Sequence, residues 1–128
     1  MSCFFISCHN KLNIKIPEIY YVTRSYSTRH GAGPFDEQKL KLKNNEEETN
    51  VTNEWQKWFR TAPIDYSKLN YAINLDQQIY SSYAKHNLVV TCIDQIEENS
   101  FRHDLIDIMF EDVYESHSPY SKDFKKIS

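Results

Sequence analysis

The chain has 128 residues and a mass of 15.3 kDa, enough for one small domain or for a piece of a larger one. Hydrophobic residues make up 40% and charged residues 26%, a balance that excludes intrinsic disorder as the default class. The net charge of -3 and pI ≈ 5.9 argue against a nonspecific nucleic-acid binder, and no stretch approaches the ~20 apolar residues of a membrane span.

Glycine is the scarcest residue of consequence. Only Gly31 and Gly33 occur, so neither a P-loop nor a dinucleotide fingerprint, each of which places glycines ahead of a helix, can be written in this chain. The three cysteines, Cys3, Cys8 and Cys92, are an odd number with no signal-peptide pattern ahead of them, which leads to the expectation of a reducing, cytoplasmic setting. Cys3, Cys8 and His9 lack the second ligand pair that a closed zinc site requires. No metal ligand is therefore assigned.

In chain order, residues 1–16 show no clear period. Residues 18–26, EIYYVTRSY, are β-branched and aromatic and predict a buried strand. Ser27 to Phe35 carries both glycines and Pro34 and predicts a structured loop. Residues 36–54 are polar and charged. Leu40 and Leu42 alternate with lysines there as a short edge strand or hairpin arm would, and the acidic run after them predicts a solvated loop. Residues 55–60, WQKWFR, form an aromatic cluster ending in a cation. Pro63 and Asp65 mark a helix start, and apolar side chains at spacings of three and four predict one or two helices over about 65–85, with Asn87 as the stop. Residues 88–93, LVVTCI, read as a central parallel strand covered on both faces. Residues 100–111 read as a helix, Val113 and Tyr114 as the start of a last short strand, and 116–128 as a polar tail.

This order predicts an α/β architecture with a parallel sheet. In such sheets the ligand sits beyond the carboxyl ends of the strands, which directs attention to Ser27–Phe35, Asp94–Gln95 and Ser116–Pro119. Asp94 is placed either to accept two parallel N–H bonds from a guanine edge or to cap the turn that follows. Arg29 is either a fork for a phosphate or carboxylate or a surface arginine beside a tight turn. Arg60, following an aromatic run, either stacks its guanidinium or reaches an anion, or lays its stem over apolar surface. His30 and His117 fall in loops at strand ends, while His86 and His103 read as helix-end and helix-surface residues. No Ser/His/Asp spacing argues for nucleophilic catalysis, so no catalytic residue is assigned.

Residues 26–35, YSTRHGAGPF, resemble the adenylosuccinate synthetase signature Y-T-T-R-V-G-x-G-P-F, with Tyr26, Thr28, Arg29, Gly31, Gly33, Pro34 and Phe35 in its fixed positions. Residues 52–65, TNEWQKWFRTAPID, resemble that family's aspartate-binding loop and the R-x-G-W-L-D segment after it. Thr91-Cys-Ile-Asp94 resembles its base-recognition T-K-L-D, and Ser116-His-Ser-Pro119 its late S-T-G-P. The resemblance runs over about residues 17–120 and implies a single unit, 1–128, that is a carboxyl-terminal portion of a larger P-loop-type nucleotide-binding fold: a partial parallel sheet with helices. Members of the family join IMP and aspartate using GTP and Mg²⁺. The resemblance therefore implies an IMP-pocket loop at Arg29, His30 and Gly31 and an aspartate loop holding Asn53 and Gln56. It further implies nucleotide contacts at Arg60, Asp94, Ser116 and Ser118, with purine nucleotide and aspartate as partners and a homodimer as the full-length assembly.

The sequence also departs from the pattern. Trp58 stands where an IMP-contacting arginine is expected, Cys92 replaces a lysine, Ser118 replaces a glycine, and Asp36 and Glu37 follow Phe35 in place of P-T-E. The family's glycine-rich phosphate loop and catalytic Asp and His are not in this sequence, so the expectation is a ligase fragment without activity of its own. The N-x-W-Q pattern is similar to the short phage branch that makes a 2-aminoadenine precursor. The alternative reading is a non-catalytic interaction module or remnant, motivated by Trp55, Trp58 and Phe59 and by an exposed sheet edge.

Overall fold

The computed structural model describes residues 16–43, 54–55, 57–80, 84–97 and 101–128. Statements about absence below concern these residues. The protein is mixed α/β, with a mostly parallel four-stranded sheet, a separate two-stranded hairpin and, among the described residues, one α-helix. Strands β1 (Glu18–Arg24), β4 (Lys85–Thr91) and β5 (Asp112–Ser116) run parallel, and β6 (Phe124–Lys126) closes the sheet antiparallel to β5, in the order β1-β4-β5-β6. Strands β2 (Tyr26–His30) and β3 (Phe59–Pro63) form the hairpin, with Tyr26 opposite Pro63 and His30 opposite Phe59.

β4 is central and takes that place because it is apolar on both faces: Leu88, Val89 and Val90 are all buried. One face of the sheet packs a core of Leu88, Val90 and Phe101, with Tyr21, Ile64, Tyr66, Ile106 and Val113 against it. Burying side chains such as Leu88 and Val90 is worth about 1.5–3 kcal/mol each. Helix α1 (Tyr66–Tyr80) lies on this side. Asp65 starts it: its Oδ1 accepts the Lys68 backbone N–H at 3.1 Å and its Oδ2 meets Lys68 Nζ at 2.8 Å, satisfying an otherwise orphaned helix donor. The lysine beside it lowers the Asp65 carboxyl pKa. Tyr21 ties α1 to the sheet by donating its hydroxyl to Asp76 Oδ2 at 2.7 Å, while its ring stacks on His86.

A second, smaller core of Tyr26, Leu42 and Ile96, joined by Leu40, Phe59 and Cys92, fastens the hairpin to the carboxyl end of β4.

Several expectations are corrected. Residues 27–30 belong to strand β2, because Thr28 and Arg29 pair with Thr61 and Arg60; the loop proper begins at Gly31. The segment around Leu40 is extended but not a strand. Its backbone N–H binds the Thr61 hydroxyl, and Leu42 is buried in the second core. Residues 44–53 lie outside the described residues. Asn87 ends no helix; it is buried inside β4. Residues 101–111 hold only a 3-10 turn at His103–Leu105. Its buried or half-buried anchors Phe101, Ile106 and Phe110 are five and four apart, a spacing that wraps an irregular chain under the sheet rather than lining one helical stripe. Backbone groups freed by the missing helix are taken by α1: the Arg102 N–H binds the Tyr66 hydroxyl at 2.6 Å and the Leu105 carbonyl accepts from Asn70 at 2.9 Å. The polar tail contains β6, held by the Lys126–Asp112 ion pair and by stacking of Phe124 on Tyr114.

Candidate functional site

The parallel strands β1, β4 and β5 put Arg24, Thr91 and Ser116 at one edge of the sheet. The chain leaves that edge in three directions, and the candidate residues sort into two groups.

The first group surrounds the glycine turn. Gly31 and Gly33 both have positive φ, 67 and 114, conformations that favour glycine. The turn is held from inside by Arg60, whose Nη2 donates to the carbonyls of Gly31 at 2.5 Å and Gly33 at 3.1 Å while its guanidinium sits over the Phe35 ring at 5.2 Å. Arg60 is only 8% exposed, and its Nε has no partner among the described residues. Arg29 holds the turn from outside, donating from Nε and Nη2 to the Ala32 carbonyl at 3.3 Å. His30 packs on Phe59, with its Nδ1 buried and unpartnered among the described residues. The turn is therefore a clipped structure, and Arg60, opposite Arg29 in the hairpin register, is the residue that clips it. Beside it, between the hairpin and the start of α1, opens a cleft of about 590 Å³ with Ser27, Asp36, Gln38, Asp65 and Lys68 among its walls.

The second group lies at the sheet edge. Cys92 takes a left-handed conformation, φ 61, and starts a 3-10 turn at Ile93–Gln95. Asp94 is thus inside this turn, and Cys92 stands in its cap position. The Gln95 side-chain amide donates to Asp94 Oδ2 at 2.7 Å and orients the carboxylate. Ser25 locks this turn to the end of β1, its backbone N–H binding Thr91 and its hydroxyl the Cys92 carbonyl at 2.7 Å. This turn also lies near β5. Ser116 donates to the Ser118 carbonyl at 2.9 Å, and Ser118 donates to Asp123 at 2.6 Å and accepts the Tyr120 N–H.

The structure thus brings Arg29, His30, Gly31 and Arg60 together, and the turn bearing Asp94 near β5, the strand that ends at Ser116. None of the candidate residues of either group is among the walls of the cleft beside the hairpin. Along the chain, the five residues of β2 lie between Ser25, which binds the turn at Cys92, and Gly31. Asn53 and Gln56 lie outside the described residues.

Sequence reasoning missed one arrangement. Glu115 accepts from or pairs with two imidazoles, His103 Nε2 at 2.7 Å and His117 Nε2 at 2.8 Å. His103 was expected on a helix surface; without that helix it folds back onto β5. The expected helix-end His86 is instead buried in β4, beneath Tyr21. The pairing of His117 with Glu115, two apart in sequence, was the available signal. No group of three or more His, Cys, Asp or Glu side chains suited to a metal ion occurs among the described residues, and none of their helices is long and apolar enough to cross a membrane.

Comparison with protein-family models, with curated proteins and with solved structures finds no match.

Proposed function

We propose that this chain is the nucleotide-binding, carboxyl-terminal portion of an adenylosuccinate synthetase-like ligase, within a larger P-loop-type fold, and that it is inactive by itself. The observation that carries the reading is the shared carboxyl edge of β1, β4 and β5, where the 3-10 turn bearing Asp94 lies near the strand that ends at Ser116. Ligands of parallel sheets bind at such an edge. Asp94, oriented by Gln95, would accept the paired N–H donors of a guanine base, and Ser116 and Ser118 would close the far side. The glycine turn would present its backbone to the IMP, held in shape by Arg60. Asn53 and Gln56 are the proposed aspartate contacts. Mg²⁺ belongs to the proposed full reaction as a counter-charge for the phosphates. The described residues supply no ligand cluster for it, so no step is assigned to it here.

Titration of the full chain with GTP, ATP and IMP, followed by calorimetry, tests the reading. Saturable binding of GTP that Asp94→Ala weakens by about tenfold or more, the value of one charge-assisted contact, is the expected result, together with no ligase turnover. Failure of every purine nucleotide to bind, or equal GTP binding by Asp94→Ala, overturns it. The exposed Trp55 and Trp58, 92% and 50% accessible, favour the second reading, a protein-interaction module, which gains if nucleotide binding fails.

A further inference from the structure

Strand β1 is the one edge of the main sheet with no neighbour among the described residues, β6 forming the other. Its hydrogen-bonding parity follows from its two ends. The Pro17 carbonyl accepts from Lys85 and the Ser25 N–H donates to Thr91, and the β1–β4 register between them is unbroken. In a parallel ladder alternate residues bond to the same neighbour. The odd-numbered residues 17–25 therefore face β4, and the backbone N–H and C=O groups of Glu18, Tyr20, Val22 and Arg24 point outward.

These same four side chains share the sheet face away from the Leu88–Val90 core, by the alternation of a strand. Tyr20 and Val22 are 47% and 67% exposed, large apolar surface in mid-strand. The edge carries none of the usual protections: no proline within the strand, no lysine, no bulge in its register. Its charges are one of each sign, at opposite ends.

We propose that β1 is a self-complementary interface that pairs antiparallel with β1 of a second copy of this chain, making one continuous eight-stranded sheet about a two-fold axis at Tyr21. In that register Glu18 faces Arg24 of the second copy and Tyr20 faces its Val22, and each pair occurs twice, as a two-fold interface requires. All four residues with outward backbone groups then fall opposite one another as hydrogen-bonded pairs, and the opposite charges coincide. Shifting the register by two residues either way keeps the backbone bonds but separates Glu18 from Arg24. Charge complementarity thus selects both the partner and the alignment. None of these residues is assigned a nucleotide contact; strands of a larger fold would compete for the same edge, so the pairing is proposed for this 128-residue chain by itself.

Sedimentation of the full 128-residue chain over a range of concentrations tests the proposal. A monomer–dimer equilibrium is expected. Glu18→Arg and Arg24→Glu each place like charges opposite twice and weaken dimerisation by about tenfold or more. Mixing these two variants restores both attractions and yields a heterodimer of near wild-type affinity. Val22→Pro removes an outward N–H without touching the β4 ladder and gives a monomer with unchanged circular dichroism; should it unfold, the charge-swap mixture still decides. A wild-type chain that stays monomeric throughout overturns the proposal, as does a mixture no tighter than its components. If deletion of residues 1–15 converts a monomeric wild type into a dimer, the chain's own amino-terminal segment is the occupant of this edge, and the second-copy assignment fails.

Discussion

Gly33 offers the sharpest test of the turn at the hairpin's end. Its φ of 114 lies in a region that residues with a Cβ rarely adopt, and an added methyl would stand 2.3 Å from Arg29 Nη2 and 2.9 Å from its Cζ. Two costs follow for Gly33→Ala, and they differ in size. The backbone strain is about 1–3 kcal/mol. The clash is with the far end of a flexible, exposed side chain, which can swing away. What Arg29 loses is two long hydrogen bonds of 3.3 Å to Ala32, worth a few tenths of a kcal/mol at that length and exposure, roughly 0.5 together. The expected total is about 2 kcal/mol, a shift of about 1 M in the urea midpoint for a chain of this size. Adding Arg29→Ala removes the clash but not the strain, so the double variant recovers no more than about 0.5 kcal/mol. If Arg29→Ala restores the midpoint of Gly33→Ala fully, steric conflict rather than φ governs this position and the reasoning is refuted.

Two further outcomes follow from the packing. Arg60→Met keeps an unbranched apolar stem but deletes the guanidinium over Phe35 and its bonds to the Gly31 and Gly33 carbonyls; a loss of about 2 kcal/mol in chemical denaturation is expected, and a stabilised variant would mean that the cost of burying the cation exceeds what the clip returns. Tyr21 titrates above the ordinary tyrosine range, because of burial first and then its hydrogen bond to Asp76. The folded state thus holds this proton more tightly than the unfolded chain, so the stabilisation is complete below about pH 10, the free tyrosine value, and is lost as pH rises beyond it. Tyr21→Phe should be less stable near neutrality yet show a shallower alkaline decline in denaturant midpoint. Tyr20, pushed up to about 12 chiefly by its bond to Glu18, contributes a background common to both proteins, and identical alkaline slopes would disprove the assignment to Tyr21.

Two strands of the main sheet were legible because their pattern is local, although β1 lies half exposed at the edge and not buried as its composition suggested. The β-branched and aromatic run at Glu18–Arg24 and the continuous apolar run around Leu88–Val90 each declare a strand without reference to the rest of the chain. Asp65 likewise marks the start of α1 through a contact three residues away. What was illegible depends on partners distant in sequence. β3 reads as an aromatic loop until Thr61 and Arg60 meet Thr28 and Arg29 across the hairpin. Residues 101–111 have helical composition, but Phe101 and Ile106 are drawn under the sheet by Leu88 and Val90, and tertiary burial overrides the local preference. β6 is three residues long and exists only because β5 offers it an edge.

The two-part arrangement of the candidate site changes what each residue can be asked to do. Of the readings the sequence leaves open for Arg60, the structure shows stacking: its guanidinium sits over Phe35 while its Nη2 is occupied by the turn's carbonyls. Its first effect is therefore on the shape of the turn, and any phosphate it meets must approach the donors left over, among which Nε is buried. Asp94 stands at the other end of β2, its carboxylate presented by a turn that Ser25 and Gln95 hold rigid. Each turn is thus held by a side chain from a neighbouring strand end, Arg60 of β3 for one and Ser25 after β1 for the other, and these contacts fix how the turn presents its polar groups.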